Sequence, residues 1–401
     1  MELSFSAIEE AAARLRGVLK PTPLMRSATL DRMLGAQVFL KPENLQKTGA
    51  FKIRGAYNRI ATLTAEEAKR GVVAASAGNH GQALSYAATL RAVKATIVMP
   101  RTAAIAKIDA TRGYGSEVQL VGADYQEARA AAEAFRAQTG ALYVDAFDDP
   151  YVIAGQGTIG LEIADELTPD AVIVPVGGGG LIAGIAAALA ERAPTTEIIG
   201  VEAAGSPQLG ASIAAKAPAA IARPVDTIAD GLATGRVGAL PFAIIQQRVG
   251  RVVAVDDFEI GEAVLTMLER LKLVAEGAGA AALAGAIKLK SELRGRVVVI
   301  VISGGNIDIN LLDRIIGYGL AKAGRLTRIT IDLRDRPGEL HKLLTLIALS
   351  GANIRTIEHD RMNLDLRIGS ARVTLELETR GPEHIREIRA RLVDAEYVIS
   401  A

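Results

Sequence analysis

Short apolar runs, often β-branched, alternate with helical stretches over most of the chain. The runs with strand character are residues 37–40, 72–75, 95–99, 117–121, 142–145, 171–176, 197–202, 252–255 and 297–302. Several of them are almost wholly apolar, which is typical of strands that helices cover on both faces. Between them, apolar residues recur with helical spacing, for example over residues 127–138 and 258–273. The pattern predicts an α/β fold with mostly parallel strands.

The pattern changes near Gly324. Beyond it, alternating apolar positions predict strands, and helical spacing predicts two helices, the first beginning at Pro337 and ending at Gly351. The strands are expected at 329–333, near 354, at 373–377 and at 397–399, and the second helix at 385–392. The order βαββαβ is that of a small ferredoxin-like α+β domain. We therefore predict two domains, residues 1–325 and 326–401.

Composition and charge narrow the possible functions. The chain has 401 residues, 50% of them hydrophobic, which allows more than one domain. A net charge of +1 gives no reason to expect nucleic acid or an anionic membrane as a partner. The absence of cysteine excludes disulfides, thiol nucleophiles and thiolate zinc sites. The four histidines lack the spacing of metal ligands, so we expect no metal site.

Two stretches could be mistaken for targeting or membrane segments. The N-terminal stretch, residues 1–16, contains Glu9 and Glu10 and does not resemble a signal peptide. Residues 171–190 carry no charge, but Pro175 and four successive glycines interrupt them. A buried strand, a turn and a buried helix explain this stretch better than a membrane span. We expect a cytoplasmic protein.

Lys52 is the first candidate for chemistry. It follows Phe51 among small residues, where an amine could be kept out of water and could form a Schiff base with an aldehyde cofactor. Taken alone, the segment with Lys47, Lys52 and Arg54 is better explained as a solvated helix start. The glycine-rich turns that follow favour the chemical interpretation.

Three turns, each directly after an apolar strand, could bind a phosphorylated cofactor and an amino acid. The four glycines 177–180 precede a helix and could bind a phosphate, although glycines also permit close strand–helix packing. The loop 76–81 could bind a carboxylate through its amides, or could simply cap a helix. In the turn 303–306, the hydroxyl of Ser303 could bond a ring nitrogen, or its own backbone.

Together these motifs resemble the threonine/serine dehydratase family, which are pyridoxal 5′-phosphate enzymes of fold type II, the tryptophan synthase β-like fold. The resemblance covers about residues 5–320. The matching motifs are K-x-E-N-L-Q-x-T-G-A-F-K-x-R-G-A at 41–56, S-A-G-N-H-G-Q at 76–82, A-G-Q-G-T at 154–158, V-G-G-G-G-L-I-A-G at 176–184 and S-G-G-N at 303–306. The resemblance implies a catalytic domain of two parallel-sheet subdomains, the smaller one, roughly 55–147, inserted in the larger.

The resemblance also implies an activity and a set of site residues. The implied enzyme is an L-threonine ammonia-lyase, a carbon–nitrogen lyase that forms 2-oxobutanoate and ammonia and also converts L-serine to pyruvate. Lys52 would hold the cofactor, remove the Cα proton and so start β-elimination. The implied cofactor-binding residues are Phe51, Lys52, Asn79, Gly177, Gly178, Gly179, Gly180, Leu181 and Ser303. The implied substrate-binding residues are Ser76, Ala77, Gly78, Asn79 and His80.

Individual positions refine this expectation. Related serine racemases typically have a serine where this chain has Ala77, and a methyl group cannot carry a proton, so we predict little racemisation. Glu202 aligns with a family metal ligand, but Ser206 and Gln208 do not supply a second carboxylate. Glu276 could lie near the cofactor or could be a structural carboxylate.

The tail resembles an ACT domain, a regulatory module that binds amino acids. Its implied effector-binding residues are Asp335, Pro337, Gly338 and Asn353, and the implied effector is isoleucine or valine, as in isoleucine biosynthesis. The family implies a homodimer or homotetramer. Two alternatives stay open: a serine-preferring dehydratase or serine racemase of the same fold, and a catalytically dead amino-acid-sensing protein.

Overall fold

The computed structural model describes residues 3–221, 225–362 and 365–400. Contacts divide the chain into two compact units, residues 1–308 and 309–401. The sequence placed the boundary between residues 325 and 326. The structure groups the helix of residues 309–322 with the second unit instead, because it packs on the strand that follows it.

The first unit contains ten strands and fourteen α-helices among its described residues. The strands are β1 (Met25–Arg26), β2 (Gln37–Pro42), β3 (Val72–Ala75), β4 (Ala95–Met99), β5 (Glu117–Leu120), β6 (Leu142–Tyr143), β7 (Ala171–Pro175), β8 (Glu197–Ala203), β9 (Arg251–Val255) and β10 (Val297–Ile302). The helices are α1 (Phe5–Leu15), α2 (Ala28–Leu34), α3 (Lys52–Ala61), α4 (Ala65–Arg70), α5 (Asn79–Leu90), α6 (Ile105–Gly113), α7 (Tyr125–Thr139), α8 (Pro150–Glu166), α9 (Gly180–Arg192), α10 (Gln208–Ala215), α11 (Ala239–Arg248), α12 (Asp257–Thr266), α13 (Gly277–Lys288) and α14 (Lys290–Leu293).

Two sheets form the framework of this unit. The larger has the order β1-β2-β10-β7-β8-β9 and is parallel except for β1, which pairs antiparallel with β2. The smaller has the order β5-β4-β3-β6 and is wholly parallel. The chain leaves the larger sheet after β2, forms the smaller sheet, and returns at β7. This is the predicted α/β fold with two parallel sheets.

Burial explains why the apolar runs became central strands. In β10, between β2 and β7, five of the six residues are buried, and Val299 and Val301 join Val172 and Val174 of β7 in one apolar core. Helix α9 packs on this core through Ile182 and Ile185, among others. Such helix-covered strands have no solvated face and therefore no polar alternation.

The structure of this unit differs from the sequence prediction at two places. The two-residue strand β1 was not predicted, since so short a segment carries no pattern. The stretch 258–273 was predicted as one helix. The structure ends the α-helix at Thr266, continues with π-helical pairing over Met267–Leu271, and stops at Lys272, whose φ of +59° turns the chain out of the helix.

The second unit contains α15 (Ile309–Lys322), β11 (Leu326–Arg334), α16 (Glu339–Leu349), β12 (Asn353–Asp360), β13 (Ser370–Glu378), α17 (Pro382–Asp394) and β14 (Ile399–Ser400). Its antiparallel sheet has the order β12-β13-β11-β14, so the elements after α15 follow the predicted ferredoxin-like βαββαβ order. The alternating apolar residues of β11 and β13 pack on α16 and α17. Helix α16 begins at Glu339 and not at Pro337, because Gly338 has a left-handed φ of +91°.

No helix among the described residues has the length and apolar character needed to cross a bilayer.

Candidate active site

A cavity of about 690 Å³ in the first unit is lined by residues that follow β3, β7 and β10. In parallel sheets, the carboxyl ends of strands are where ligands bind. The cavity is lined by all of the predicted cofactor and substrate residues: Phe51, Lys52, Ser76, Ala77, Gly78, Asn79, His80, Gly177, Gly178, Gly179, Gly180, Leu181 and Ser303. Segments far apart in sequence therefore meet in one place.

Lys52 is the first residue of α3, and its position is tied to the end of β10. The N–H of Phe51 donates to the carbonyl of Ser303 at 3.0 Å. The ammonium of Lys52 donates to the carbonyl of Ala146 at 2.8 Å and lies 5.1 Å from the ring centre of Phe51. Burial lowers the pKa of Lys52 to about 8, although the charges of Asp145 and Glu276 oppose the shift. Its amine is therefore easier to deprotonate than that of an ordinary lysine.

The glycine tetrad, residues 177–180, joins β7 to α9. A Cβ on Gly178 would lie 2.2 Å from the ring of Phe147, and one on Gly177 would lie 2.9 Å from the carbonyl of Gly231. Close packing is thus a real requirement here, as the alternative interpretation held. The tetrad also lines the cavity at the start of the 13-residue helix α9, whose first N–H groups have no acceptor within the helix. The close packing of the glycines is observed, and phosphate binding by the tetrad stays a prediction.

Ser303 lies at the end of β10 and is 3% exposed. Its hydroxyl donates a long bond, 3.3 Å, to the carbonyl of Ala278. The hydroxyl is a neutral group that can rotate towards a stronger acceptor.

The loop 76–80 contains both capping and cavity-lining groups. The hydroxyl of Ser76 accepts from the N–H groups of Gly78 and Gly81, at 3.3 and 3.0 Å, so it organises the loop. The Nε2–H of His80 donates to the carbonyl of Val144 at 2.9 Å. Burial and the charge of Lys52 lower the pKa of His80 to about 4. His80 is therefore neutral at physiological pH.

Glu276 is the site residue that sequence reasoning left undecided. It lines the cavity beside α13, and its Oε1 accepts from the side-chain amide of Asn79 at 2.6 Å. Burial raises the pKa of Glu276 to about 7, against the opposing bond from Asn79. The sequence shows Glu276 as a single acidic residue among the small residues 275–279. A carboxylate buried in such a segment needs a hydrogen-bond partner, but the sequence does not show which residue that is.

Glu202, considered above as a metal ligand, accepts backbone hydrogen bonds. Its carboxylate accepts from the N–H groups of Leu209 and Gly210, at 2.8 and 3.1 Å, and so holds the start of α10. Burial raises the pKa of Glu202, and these two bonds oppose the shift. Among the described residues, no group of three or more histidines and carboxylates is arranged to hold a metal ion.

The second unit has its own cavity, of about 480 Å³. Three of the predicted effector residues, Asp335, Pro337 and Gly338, line it. Asn353 does not line this cavity, because it begins β12 and its side chain donates to Glu378 at 3.0 Å.

Comparison with known proteins identifies the family. Residues 15–304 match the family described as pyridoxal-phosphate dependent enzyme. The chain belongs to this family. Its members use pyridoxal phosphate as cofactor, as the sequence predicted.

Individual members of the family resemble the chain closely. It is 46% identical to an L-threonine ammonia-lyase of Thermotoga maritima over 400 residues, which cover 99% of both chains. The structure of threonine deaminase isoform 2 from Solanum lycopersicum is similar with a TM-score of 0.75, 37% identity, and coverage of 78% of this chain and 87% of that one. Maize serine racemase has the same TM-score of 0.75, 35% identity, and coverage of 80% and 99%. The resemblance to the threonine/serine dehydratases is confirmed.

The cavity fits the family's cofactor. The amine of Lys52 can react with the cofactor aldehyde. The N–H groups at the start of α9 suit a phosphate, and the neutral hydroxyl of Ser303 suits a pyridine nitrogen. The backbone at Gly304 also comes close to the polar side chains, since a Cβ there would lie 2.4 Å from Glu276 Oε1 and 3.2 Å from Asn79 Nδ2. A larger residue than glycine at position 304 would therefore collide with Glu276.

Proposed function

We propose that the protein is an L-threonine ammonia-lyase, which converts L-threonine to 2-oxobutanoate and ammonia and L-serine to pyruvate. The observation that carries this proposal is the Lys52 amine in the same cavity as the glycine tetrad and Ser303. The name of the full-length Thermotoga maritima relative supports the choice of substrate.

The roles proposed for the residues follow from their chemistry. The N–H groups of residues 177–181 would bind the phosphate, and Phe51 would pack beside the ring. Asn79 would bond the ring hydroxyl, and Ser303 would bond the pyridine nitrogen without protonating it. When bound, pyridoxal phosphate supplies the electron sink for a carbanion at the substrate Cα.

Lys52 is the proposed base. Its lowered pKa lets a free amine exist near neutral pH, and that amine can accept the Cα proton. Once protonated, it is stabilised by the Ala146 carbonyl at 2.8 Å and by the nearby charges of Asp145 and Glu276. The loop 76–80 binds the substrate carboxylate through its amides. Neutral His80 adds no positive charge to this loop, so the N–H groups would carry its attraction to the carboxylate.

Two measurements on the full chain test the proposal. The purified protein should show the visible absorbance of a Schiff base between a lysine and pyridoxal phosphate, and should form 2-oxobutanoate from L-threonine. Absence of both the absorbance and turnover on L-threonine or L-serine would contradict the enzyme assignment and favour the cofactor-free amino-acid-sensing alternative. Comparison of kcat/KM on the two substrates separates the threonine enzyme from a serine-preferring dehydratase.

A serine racemase is the second candidate, favoured by the similarity to the maize enzyme. Ala77 opposes it, because this residue lines the cavity with a methyl group where a racemase needs a proton carrier. We expect D-serine to form from L-serine far more slowly than pyruvate. Formation of both products at similar rates would overturn this choice.

Regulation through an ACT domain is also part of the proposal, and it is supported by the ferredoxin-like order of the second unit and its cavity. We expect isoleucine or valine to alter turnover of the full chain, and deletion of residues 326–401 to leave activity but remove that response. Asp335→Ala should weaken the response in the full chain, whereas Glu383→Ala, an exposed change outside the cavity, should not. A response that persists after the deletion would refute ACT regulation.

Other features stay predictions from the sequence. These are the cytoplasmic localisation, the homodimer or homotetramer, and the part played in isoleucine biosynthesis.

A further inference from the structure

Asn79 is held from two sides by side chains of distant segments. The Nδ2 of Asn306 donates to the backbone carbonyl of Thr48 at 2.7 Å and to Asn79 Oδ1 at 2.8 Å. A carbonyl can only accept, so the atom facing Thr48 must be the amide nitrogen of Asn306. Both protons of that nitrogen are then used. The oxygen of Asn79 therefore faces Asn306, and its nitrogen faces Glu276.

Glu276 completes this arrangement. Its Oε1 accepts one N–H of Asn79 at 2.6 Å, a short bond of the kind that an ionised acceptor makes. Its backbone N–H donates to the carbonyl of Gly304 at 3.2 Å, which attaches it to the turn that carries Ser303. The second N–H of the Asn79 amide is left for a group in the cavity.

We propose that Glu276 is a positioning residue for the cofactor: it orients the Asn79 amide and places a negative charge beside Lys52. Asn306 is its counterpart on the oxygen side of Asn79. The inference rests on the proposed function of Lys52 and Asn79 in cofactor binding. It adds Asn306, to which that function gave no role, and gives Glu276 the orientation of Asn79 in addition to its charge near Lys52.

The charge of Glu276 should affect the pH at which Lys52 loses its proton, which a purely structural role would not change. The charged groups acting on Glu276 are Lys52, Lys107 and Asp230, and burial raises its pKa to about 7, so it is ionised at pH 8 and above. There it favours the ammonium form of Lys52, as Asp145 also does. Removing the negative charge makes Lys52 easier to deprotonate.

The variants separate the hydrogen bond from the charge. Glu276→Gln keeps an oxygen that can accept from Asn79 but removes the charge, and Glu276→Ala removes both. Asn306→Ala removes the other support of Asn79. The matched control is Glu202→Gln, because Glu202 is also a buried glutamate that accepts N–H bonds, but it lies outside the cavity.

The test is titration of each full-length variant, freed of cofactor, with pyridoxal phosphate at several pH values, followed by visible absorbance. At pH 9 we expect Glu276→Ala and Asn306→Ala to bind about tenfold more weakly or worse, and Glu276→Gln to stay within about threefold of wild type. The pH midpoint of binding, near 8 in wild type, should fall in Glu276→Gln by up to about one unit. Glu202→Gln should change neither affinity nor midpoint.

Wild-type affinity in Glu276→Ala, or an unchanged midpoint in Glu276→Gln, would overturn the inference. Weaker binding in Glu202→Gln equal to that in Glu276→Ala would also overturn it, since the effect would then come from destabilisation alone. A wild-type protein that binds no pyridoxal phosphate at any pH would instead overturn the proposed function itself.

Discussion

The ammonium of Lys52 donates to the backbone carbonyl of Ala146, 2.8 Å away. Ala146 follows Asp145 on the segment after β6, so this bond joins the first residue of α3 to the end of the smaller sheet. The carbonyl holds the ammonium in one place without neutralising it, because a carbonyl oxygen is an uncharged acceptor that does not take up the proton.

Replacement of Lys52 tests whether this amine is the base. Lys52→Ala should abolish 2-oxobutanoate formation and leave the fold intact, as judged by circular dichroism. A positioned base contributes roughly 10²–10⁴-fold, so retention of more than about a hundredth of wild-type kcat would count against the assignment. Lys47→Ala is the matched control, because Lys47 lies in the same segment, is exposed, and does not line the cavity.

The lowered pKa of Lys52 predicts a pH dependence for cofactor binding. The neutral amine is the form that reacts with an aldehyde, so binding should rise with pH around a midpoint near 8 and not near the ordinary lysine value of 10.5. Asp145→Asn removes a negative charge that favours the ammonium, and should move the midpoint below 8. The asparagine oxygen can still accept from the N–H groups of Phe147 and Asp148. A midpoint that rises in Asp145→Asn would contradict this electrostatic account.

The sequence predicted the elements of the fold because burial leaves a local pattern. Residues 297–302 and 72–75 are apolar runs that became the strands β10 and β3 with the same bounds. The order of strands in the larger sheet has no such local signal. The position of β10 between β2 and β7 is decided by side-chain packing across segments more than a hundred residues apart.

The same contrast holds for the candidate site. Lys52, the glycine tetrad and Ser303 were predicted because each belongs to a motif that follows or precedes a recognisable element. Glu276 was left undecided, and Asn306 was given no role, because their contacts with Asn79 join residues 197 and 227 positions apart. Spacing along the chain cannot show that two distant side chains meet around the amide of Asn79.

The glycine tetrad can be tested at Gly178. Gly178→Ala would place a Cβ 2.2 Å from the ring of Phe147, so the turn or the ring must move. We expect at least about a tenfold loss of affinity for pyridoxal phosphate, because the N–H donors at the start of α9 would shift with the turn. Gly113→Ala is the control: its Cβ meets no atom within 4 Å. Equal affinity in the two variants would mean that the tetrad does not bind the phosphate.

Arg54, two residues after Lys52, is the centre of a buried ion network. It forms two bonds of 2.8 Å with Glu43 and bonds of 2.5 and 2.9 Å with Glu162, which also pairs with Lys41 at 2.6 Å. The side chains of Arg54, Glu43 and Lys41 are at most 2% exposed. The network joins α3 to β2 and α8 and thereby fixes the helix that begins with Lys52.

Breaking this network should be costly, since it leaves a buried charge without its partner. We expect Arg54→Met to lower the free energy of unfolding by about 3–5 kcal/mol, measured by urea denaturation, because Glu43 would stay buried without its guanidinium. Arg54→Lys keeps the charge but not the two parallel bonds to Glu43, and should lie between Arg54→Met and wild type. Arg136→Met, which breaks an ion pair whose side chains are 55% and 41% exposed, should change the same free energy by less than about 1 kcal/mol. If Arg54→Met were no more destabilising than Arg136→Met, the network would not be what holds α3 in position.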